Sequence, residues 1–239
     1  MSNNESINDY NKISDKDKSK NIQNMFNNIA GKYDFLNGLL SLNLDNRWRR
    51  IAIKKADIHD NDLVLDLACG TGDLTRAIKH YHPKCSIISG DFSINMLYIA
   101  KKKLPDNIFV ASDAHFLPFV GDSFDRLTIA FGFRNVTDKA KGLKEFYRVL
   151  KPNGKVCILE LTQPENKFIN LCYSLYFRHI LPFIAGMFSS KQAYEYLPDS
   201  VSSFPKRKKF KQLIEQAGFK NIKFKSMLFG AVTIAVMEK

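Results

Sequence analysis

From residue 63 onward the chain alternates between short apolar runs and stretches of helical periodicity. That alternation restricts the fold more than any other feature. The runs are "LVLDL" (63–67), "SIISGD" (86–91), "NIFVAS" (107–112), "RLTIAF" (126–131) and "KVCILEL" (155–161). Helical stretches at 73–81, 93–103 and 138–150 separate most of them. Strands that alternate with helices specify an α/β chain with a doubly wound, mostly parallel sheet. The end of the chain breaks the rule. "FKQLIEQAG" (210–218) reads as a helix with Gly218 past its end, and "NIKFKSML" and "AVTIAVME" read as two strands joined at Phe229-Gly230. The sheet is therefore expected to finish in an antiparallel hairpin.

Upstream, residues 21–56 look helical. Ile22, Met25, Phe26, Ile29 and Tyr33 recur at helical spacing, and Gly31 and Gly38 are expected to break the run. A second helix, "DNRWRRIAIKKA", carries the sole Trp, Trp48, with Asp45 or Asn46 as its N-cap. Residues 1–20 are polar, lack the apolar core of a secretory signal, and are expected to form a disordered tail. Residues 21–239 are expected to form a single domain with an N-terminal helical cap and a helical insertion at about 166–205. Within that insertion, "NKFINLCYSLYFRHILPFIAGMFSS" is too short and too broken by Arg178, His179 and Pro182 to span a bilayer. It reads as a core helix, or as one that covers an apolar ligand or rests on a membrane surface; the core reading is favoured.

The formal net charge of +12 points to an anionic partner (nucleic acid, acidic membrane surface or anionic substrate) or to a Lys-rich solvated surface. The four cysteines, Cys69, Cys85, Cys157 and Cys172, form no CxxC pair and read as reduced thiols, so no metal site is expected.

The stretch "VLDLACGTGDL" (64–74) is a buried strand that feeds a helix through a glycine turn. A phosphate loop does not fit, because no Gly-Lys-Ser/Thr follows. A dinucleotide fingerprint requires a third glycine where Thr75 stands. Asp73 opens the helix, and a negative charge there repels a pyrophosphate but tolerates a sulfonium or an ammonium. Asp91 ends the second strand, where an acid can accept from both ribose hydroxyls or serve simply as a solvated turn residue. Asp113-Ala114 ends the third, placed to read an adenine edge. His115 follows, and a lone His is more often structural.

Together "VLDLACGTGDL", "GDFSINML", "DAHFLPFVGDSFDRLTIAFGFRNV" and "EFYRVLKPNGK" resemble the class I S-adenosylmethionine-dependent methyltransferases, whose sheet is seven-stranded and Rossmann-like. "YDFLNGLLSLNLDNRWRR" (33–50), "FGFRNVTDKAKGLKEFYRVLKPNGK" (131–155) and "YEYLPDSVSSFP" (194–205) narrow the resemblance to the quinone C-methyltransferases, over roughly residues 22–239. Three positions depart from the usual pattern. Asn43 stands where Gly is common, Asp45 leans toward the menaquinone branch, and Ala68 fills a position that many members of the class give to Gly.

The resemblance implies S-adenosylmethionine as cofactor and a lipid quinol as substrate, methylated on a ring carbon. Demethylmenaquinol is the first expectation and a ubiquinol precursor, 2-methoxy-6-polyprenyl-1,4-benzoquinol, the alternative. It carries Thr71, Asp91, Asp113 and Ala114 over as cofactor contacts; Gly70 and Gly72 are expected to let the backbone approach the cofactor, and Ala130, at the end of the fourth strand, to face it. Arg134, directly after "AFGF" at the carboxyl end of the fourth strand, is the catalytic candidate, placed to stabilise a developing phenolate or orient a water, with an ion pair to Asp138 or to a neighbouring strand end as its structural alternative. Tyr33, Asn135 and Tyr194 become acceptor-side residues. A cytoplasmic protein, peripheral at the inner membrane face, would use its basic runs (48–55, 100–103, 205–211) against anionic headgroups. Methylation of a nucleic acid remains a competing reading; it is disfavoured because no interleaving of aromatic and basic residues for base stacking is present, so no nucleic-acid partner is expected. The oligomeric state is left open.

Overall fold

The computed structural model describes residues 15–41, 43–164, 166, 169, 171, 175 and 191–239. Eight helices are named here: α1 (Asp15–Ile29), α2 (Tyr33–Ser41), α3 (Leu44–Ala56), α4 (Asp73–Tyr81), α5 (Ile94–Lys103), α6 (Lys139–Val149), α7 (Lys191–Ser202) and α8 (Arg207–Gln216). The strands are β1 (Leu63–Leu67), β2 (Ser86–Asp91), β3 (Ile108–Ala111), β4 (Phe124–Ala130), β5 (Leu150–Leu161), β6 (Lys220–Met227) and β7 (Val232–Glu238). They form one seven-stranded sheet in the order β3-β2-β1-β4-β5-β7-β6. β7 runs antiparallel to both its neighbours and the other pairs are parallel. The α/β sheet and its closing hairpin are as the sequence predicts.

Both faces of the sheet are covered, so its central strands are apolar on both sides. On one face Leu65, Leu127, Val156 and Ile158 pack with Phe146 of α6 and with Phe210 and Ile214 of α8. On the other, Val64, Cys157, Leu159 and Ile234 pack with Ala52 and Ile53 of α3 and with Leu74 and Ile78 of α4. The alternation Val64/Leu65 and Val156/Cys157/Ile158/Leu159 is the two-residue period of a strand.

The N-terminal region departs from the sequence reading in three ways. Helix α1 begins at Asp15, inside the stretch whose composition suggests a disordered tail. Side-chain bonds hold it: Gln23 Nε2 donates to Phe92 O (2.6 Å) and Ser93 Oγ donates to Asn27 Oδ1 (2.6 Å). Gly38 lies within α2 and does not break it; a Cβ there would sit 2.9 Å from Asn43 Oδ1, so glycine lets the following turn fold back. The turn is made by Asn43, left-handed at φ 58°, which explains why a glycine-favouring position accepts Asn. Asp45 does not cap α3. It lies buried inside the helix, where it takes Ser41 Oγ–H (2.9 Å) and pairs with Arg49. Asn46 is exposed and does not cap α3 either.

The expected insertion at 166–205 lies largely outside the described residues; its last part is α7 and the turn that follows. No helix among the described residues is long and apolar enough to cross a membrane.

Candidate active site

In a parallel sheet every strand ends at the same edge, and ligands collect there. At that edge β1, β2 and β4, with the turn after β3, enclose a cavity of about 110 Å³. Gly70, Asp91, Asp113, Ala114 and Ala130 line it, as do the acceptor-side candidates Tyr33 and Asn135. Thr71 faces a smaller adjoining cavity shared with Arg49, Asp66 and Asp73. Gly72 and Arg134 line neither cavity, and the side chain of Tyr194 lies outside the described residues.

The glycine turn is shaped by left-handed backbone. Ala68, Gly70 and Gly72 have φ of 51°, 56° and 87°. Gly70 N donates to Asp91 Oδ2 (2.8 Å), so the turn is tied to the end of β2. Ala68 accepts a conformation that glycine adopts without strain. Its methyl fits because Gly132 faces it: a Cβ on Gly132 would stand only 2.4 Å from the Cβ of Ala68. The departure at Ala68 is thus matched by the glycine of "FGF". Thr75, at the place of the absent third glycine, is buried and spends its hydroxyl on Asp66 (2.6 Å).

Asp91 is the central acceptor. Its Oδ1 takes Ser93 N–H (2.8 Å) and its Oδ2 takes Gly70 N–H. Burial raises its pKa, against the pull of these backbone donors. A carboxylate presents about four acceptor positions, so capacity remains for two hydroxyls of a ligand. Asp113 accepts twice from His115, from its backbone N (2.9 Å) and from ring Nδ1 (2.6 Å). His115 Nε2 accepts the Asp138 N–H (3.1 Å), which puts the ring proton on Nδ1. His115 is therefore a brace for Asp113, a role that a lone His in the sequence does not reveal.

Arg134 pairs with Glu160, at the end of the neighbouring strand β5, as one branch of its structural alternative expects, and not with Asp138. Its Nη1 donates to Glu160 Oε1 (2.8 Å) and its backbone N donates to Glu160 Oε2 (2.9 Å), while Asp138 instead caps α6 through Lys141 N (2.9 Å). Nη1 also donates to Phe131 O. The pair fixes the turn that follows β4, and with it Asn135, whose Oδ1 accepts Tyr196 O–H (2.9 Å). Tyr33 packs edge-on against Phe26 of α1; burial raises its phenol pKa, so it stays protonated at neutral pH. Cys69 is buried between Asp91 and Asp66, and burial pushes its thiol well above the usual range, which removes it as a nucleophile.

Two residues were missed by sequence reasoning. Arg49 is buried, pairs with Asp73 (3.5 Å) as well as Asp45, and lies over the Phe131 ring at 5.7 Å. With Lys103 and Arg76 also near Asp73 (3.7 and 3.5 Å), that carboxylate is not a bare negative charge. The expectation that Asp73 repels a pyrophosphate therefore fails. The larger cavity discriminates in its place: it holds two carboxylates, Asp91 and Asp113, and among the described residues no Lys or Arg lines it. That balance suits hydroxyls, an amine and a sulfonium, and leaves a pyrophosphate uncompensated.

Asp66 is the second. It lies fully buried on β1, holds Thr75 and Thr128 hydroxyls (2.6 and 3.1 Å), and burial raises its pKa to about 7. A raised folded-state pKa means that the native chain holds a proton the unfolded chain has released. The stability it contributes is complete below the usual Asp range and declines as pH rises to about 7. A tenfold difference in proton affinity between the two states is worth about 1.4 kcal/mol. Asp66→Asn is expected to flatten the fall in melting temperature between pH 5 and pH 7; an unchanged slope in a thermal series would show that Asp66 is not its source.

The chain matches the ubiE/COQ5 methyltransferase family over residues 14–239. It is 43% identical over 230 residues to the ubiquinone/menaquinone biosynthesis C-methyltransferase UbiE of Geotalea daltonii, covering 93% of this chain and 98% of that protein. It is 44% identical over 223 residues to the demethylmenaquinone methyltransferase of Chlorobaculum parvum, covering 91% and 92%. Among solved structures, the putative methyltransferase in complex with the Haloferax volcanii Trm112 activator shares the fold (TM-score 0.68, 16% identity, 89% of this chain and 96% of that one). So does the Haemonchus contortus phosphoethanolamine N-methyltransferase 2 in complex with S-adenosyl-L-methionine (TM-score 0.58, 20% identity, 76% and 38%).

Proposed function

The chain belongs to the ubiE/COQ5 methyltransferase family, and on that premise we propose that its acceptor is the hydroquinone of demethylmenaquinone, methylated on a ring carbon. It is an S-adenosylmethionine-dependent C-methyltransferase of quinone biosynthesis. The observation that carries the cofactor assignment is the cavity that places the carboxylates of Asp91 and Asp113 at the ends of β2 and β3, with no Lys or Arg lining it among the described residues.

When bound, S-adenosylmethionine supplies a methyl group activated by its sulfonium. Asp91 would accept from the ribose hydroxyls, and Asp113, braced by His115, from the adenine amine. Gly70 admits the backbone close to the ligand, because nothing nearer than Tyr33 Cε1, at 3.7 Å, would meet a Cβ there. Among the described residues Arg49 is the one cation on the smaller cavity, and it is suited to the methionine carboxylate.

On the acceptor side the protein must hold one ring carbon in line with the methyl group, and the work is chiefly positioning. Tyr33 and Asn135 line the cavity from opposite elements and would orient the hydroquinone oxygens. Tyr194 joins them by family resemblance. Arg134 would act through its neighbours, keeping Phe131–Asn135 in place by its pair with Glu160, so it is proposed as a positioning residue. The ring must be reduced, since an oxidised quinone is electron-poor and offers no nucleophilic carbon.

The test is turnover with a short-chain demethylmenaquinol, followed by mass spectrometry. A methylated ring that disappears when the quinone is left oxidised is the expected result. Product only from the ubiquinol precursor would move the acceptor. No product from either, with S-adenosylhomocysteine still bound, would overturn the quinol reading.

A further inference from the structure

The far edge of the sheet carries a feature that the cofactor site does not use. The connection between β6 and β7 presents Leu228 and Phe229, 47% and 80% exposed. Both are left-handed, with φ of 46° and 55°. A bulky apolar side chain rarely sits at positive φ, and strain of this kind tends to mark a functional position. Burial does not explain it at Phe229, whose side chain is largely in solvent, and Leu228 is only half covered. β6 is parallel to β5, so the tip lies at the same carboxyl edge as the cofactor cavity. It is fastened to the end of β5, where Thr162 Oγ1 donates to Gly230 O (2.6 Å).

Cations flank the strand that leads into the tip, on both of its faces. Lys206, Arg207, Lys208 and Lys209 are exposed at the start of α8, and Lys223 and Lys225 are exposed on β6. None forms an ion pair among the described residues. Arg207 stacks on Phe224 of β6 (4.9 Å), which joins the helix start to the strand that leads into the tip. The first turn of α8 has no acidic residue. Cations at a helix N-terminus oppose the helix dipole, so this placement costs internal stability and calls for an anion outside the chain.

We propose that the Leu228–Phe229 tip and the basic start of α8 form a docking edge for a bilayer containing anionic lipid. The apolar pair enters the headgroup boundary, the cations meet lipid phosphates, and the carboxyl edge of the sheet faces the membrane that dissolves the substrate. The purpose of this edge rests on the quinol reading above, because only a lipid acceptor requires it.

The experiment uses the full chain with vesicles of phosphatidylcholine, with and without phosphatidylglycerol. The variant is Leu228→Asn/Phe229→Asn, since Asn tolerates the left-handed backbone and should leave the melting temperature unchanged or raised. Wild type is expected to sediment with anionic vesicles and to be released by salt. The double variant should bind about tenfold or more weakly, the loss for one buried large apolar side chain. Tyr98→Asn, which removes a 68% exposed aromatic from α5 near the opposite end of the sheet, should bind as wild type. With long-chain quinol in vesicles the double variant should turn over slowly; with a short-chain soluble quinol it should match wild type. Equal vesicle binding by wild type and double variant would overturn the proposal. So would a wild type that binds no vesicles but dimerises through the tip in sedimentation velocity. Absence of turnover on the short-chain quinol by wild type would instead sink the quinol reading, and the vesicle result would remain separately readable.

Discussion

Glu160→Ala is expected to destabilise the protein by about 3–5 kcal/mol, the cost of leaving one member of a buried ion pair uncompensated. Glu160 is 1% exposed. Its carboxylate takes the Arg134 guanidinium and the backbone N–H groups of Arg134 and Leu161. Without it Arg134 keeps one acceptor among the described residues, Phe131 O, and its Nε already lacks a partner among them. Urea denaturation measures the loss. A second variant separates stability from function. Glu160→Gln combined with Arg134→Met removes both charges at similar volume, and replacing a buried pair with uncharged groups is often close to neutral. It should recover most of the stability. If turnover stays low in the refolded double variant while S-adenosylhomocysteine binds normally, the pair positions the acceptor side. If turnover returns, the pair is only structural. Loss of less than about 1 kcal/mol in Glu160→Ala would show that water reaches the site and that the pair behaves as a surface one.

Much of the scaffold was legible because the central strands carry short apolar runs bounded by turn residues. β1 and β2 fall on the expected residues, as does α4. β5 starts at Leu150, earlier than its apolar run, because Leu150 pairs with Phe124 of β4 across an irregular register; a pairing between distant segments leaves no local periodicity. Helix α1 escaped in part for the opposite reason. Its first turns are polar and carry Ser19 beside Thr137 (3.4 Å), while its later turns are tied to the loop after β2 through Gln23 and Asn27, whereas composition registers only apolar burial.

The site shows the same division. Gly70, Asp91 and Asp113 were legible because strand ends fix where a ligand must lie, and the sequence orders the strand ends. The contacts around them were less so. For Arg134 a neighbouring strand end was one expected partner, and the pairing of β4 with β5 makes it Glu160; Arg49 finds Asp73 through the packing of α3 on α4, and His115 finds Asp138 across the turn after β4, neither of which has a local signal. Each is a contact made by topology. Sequence patterns reveal the residues that chemistry requires, and folding supplies the neighbours that tune them.

Asp91→Ala should produce the largest loss of cofactor affinity. Two hydrogen bonds from ribose hydroxyls to a carboxylate are worth about 1.5–3 kcal/mol each, so S-adenosylhomocysteine should bind at least about a hundredfold more weakly by calorimetry. Asp91→Asn keeps the shape and one acceptor oxygen and should lose less. Asp113→Ala should also lose less, because its carboxylate is about one-third exposed and its ligand contact competes with water. The alanine change at Asp91 carries a structural cost as well, since Gly70 N and Ser93 N lose their acceptor. Affinity must therefore be measured on protein shown to be folded at the titration temperature. The pH dependence gives an independent reading. Burial raises the Asp91 pKa, and only the ionised form accepts from both hydroxyls. Affinity in the wild type should thus begin to fall, on acidification, at a pH above the ordinary range of an aspartate, and the fall should be absent in Asp91→Asn. If Asp91→Ala binds S-adenosylhomocysteine as tightly as wild type, the cofactor does not sit at the ends of β1 and β2, and the assignment of the cavity is wrong.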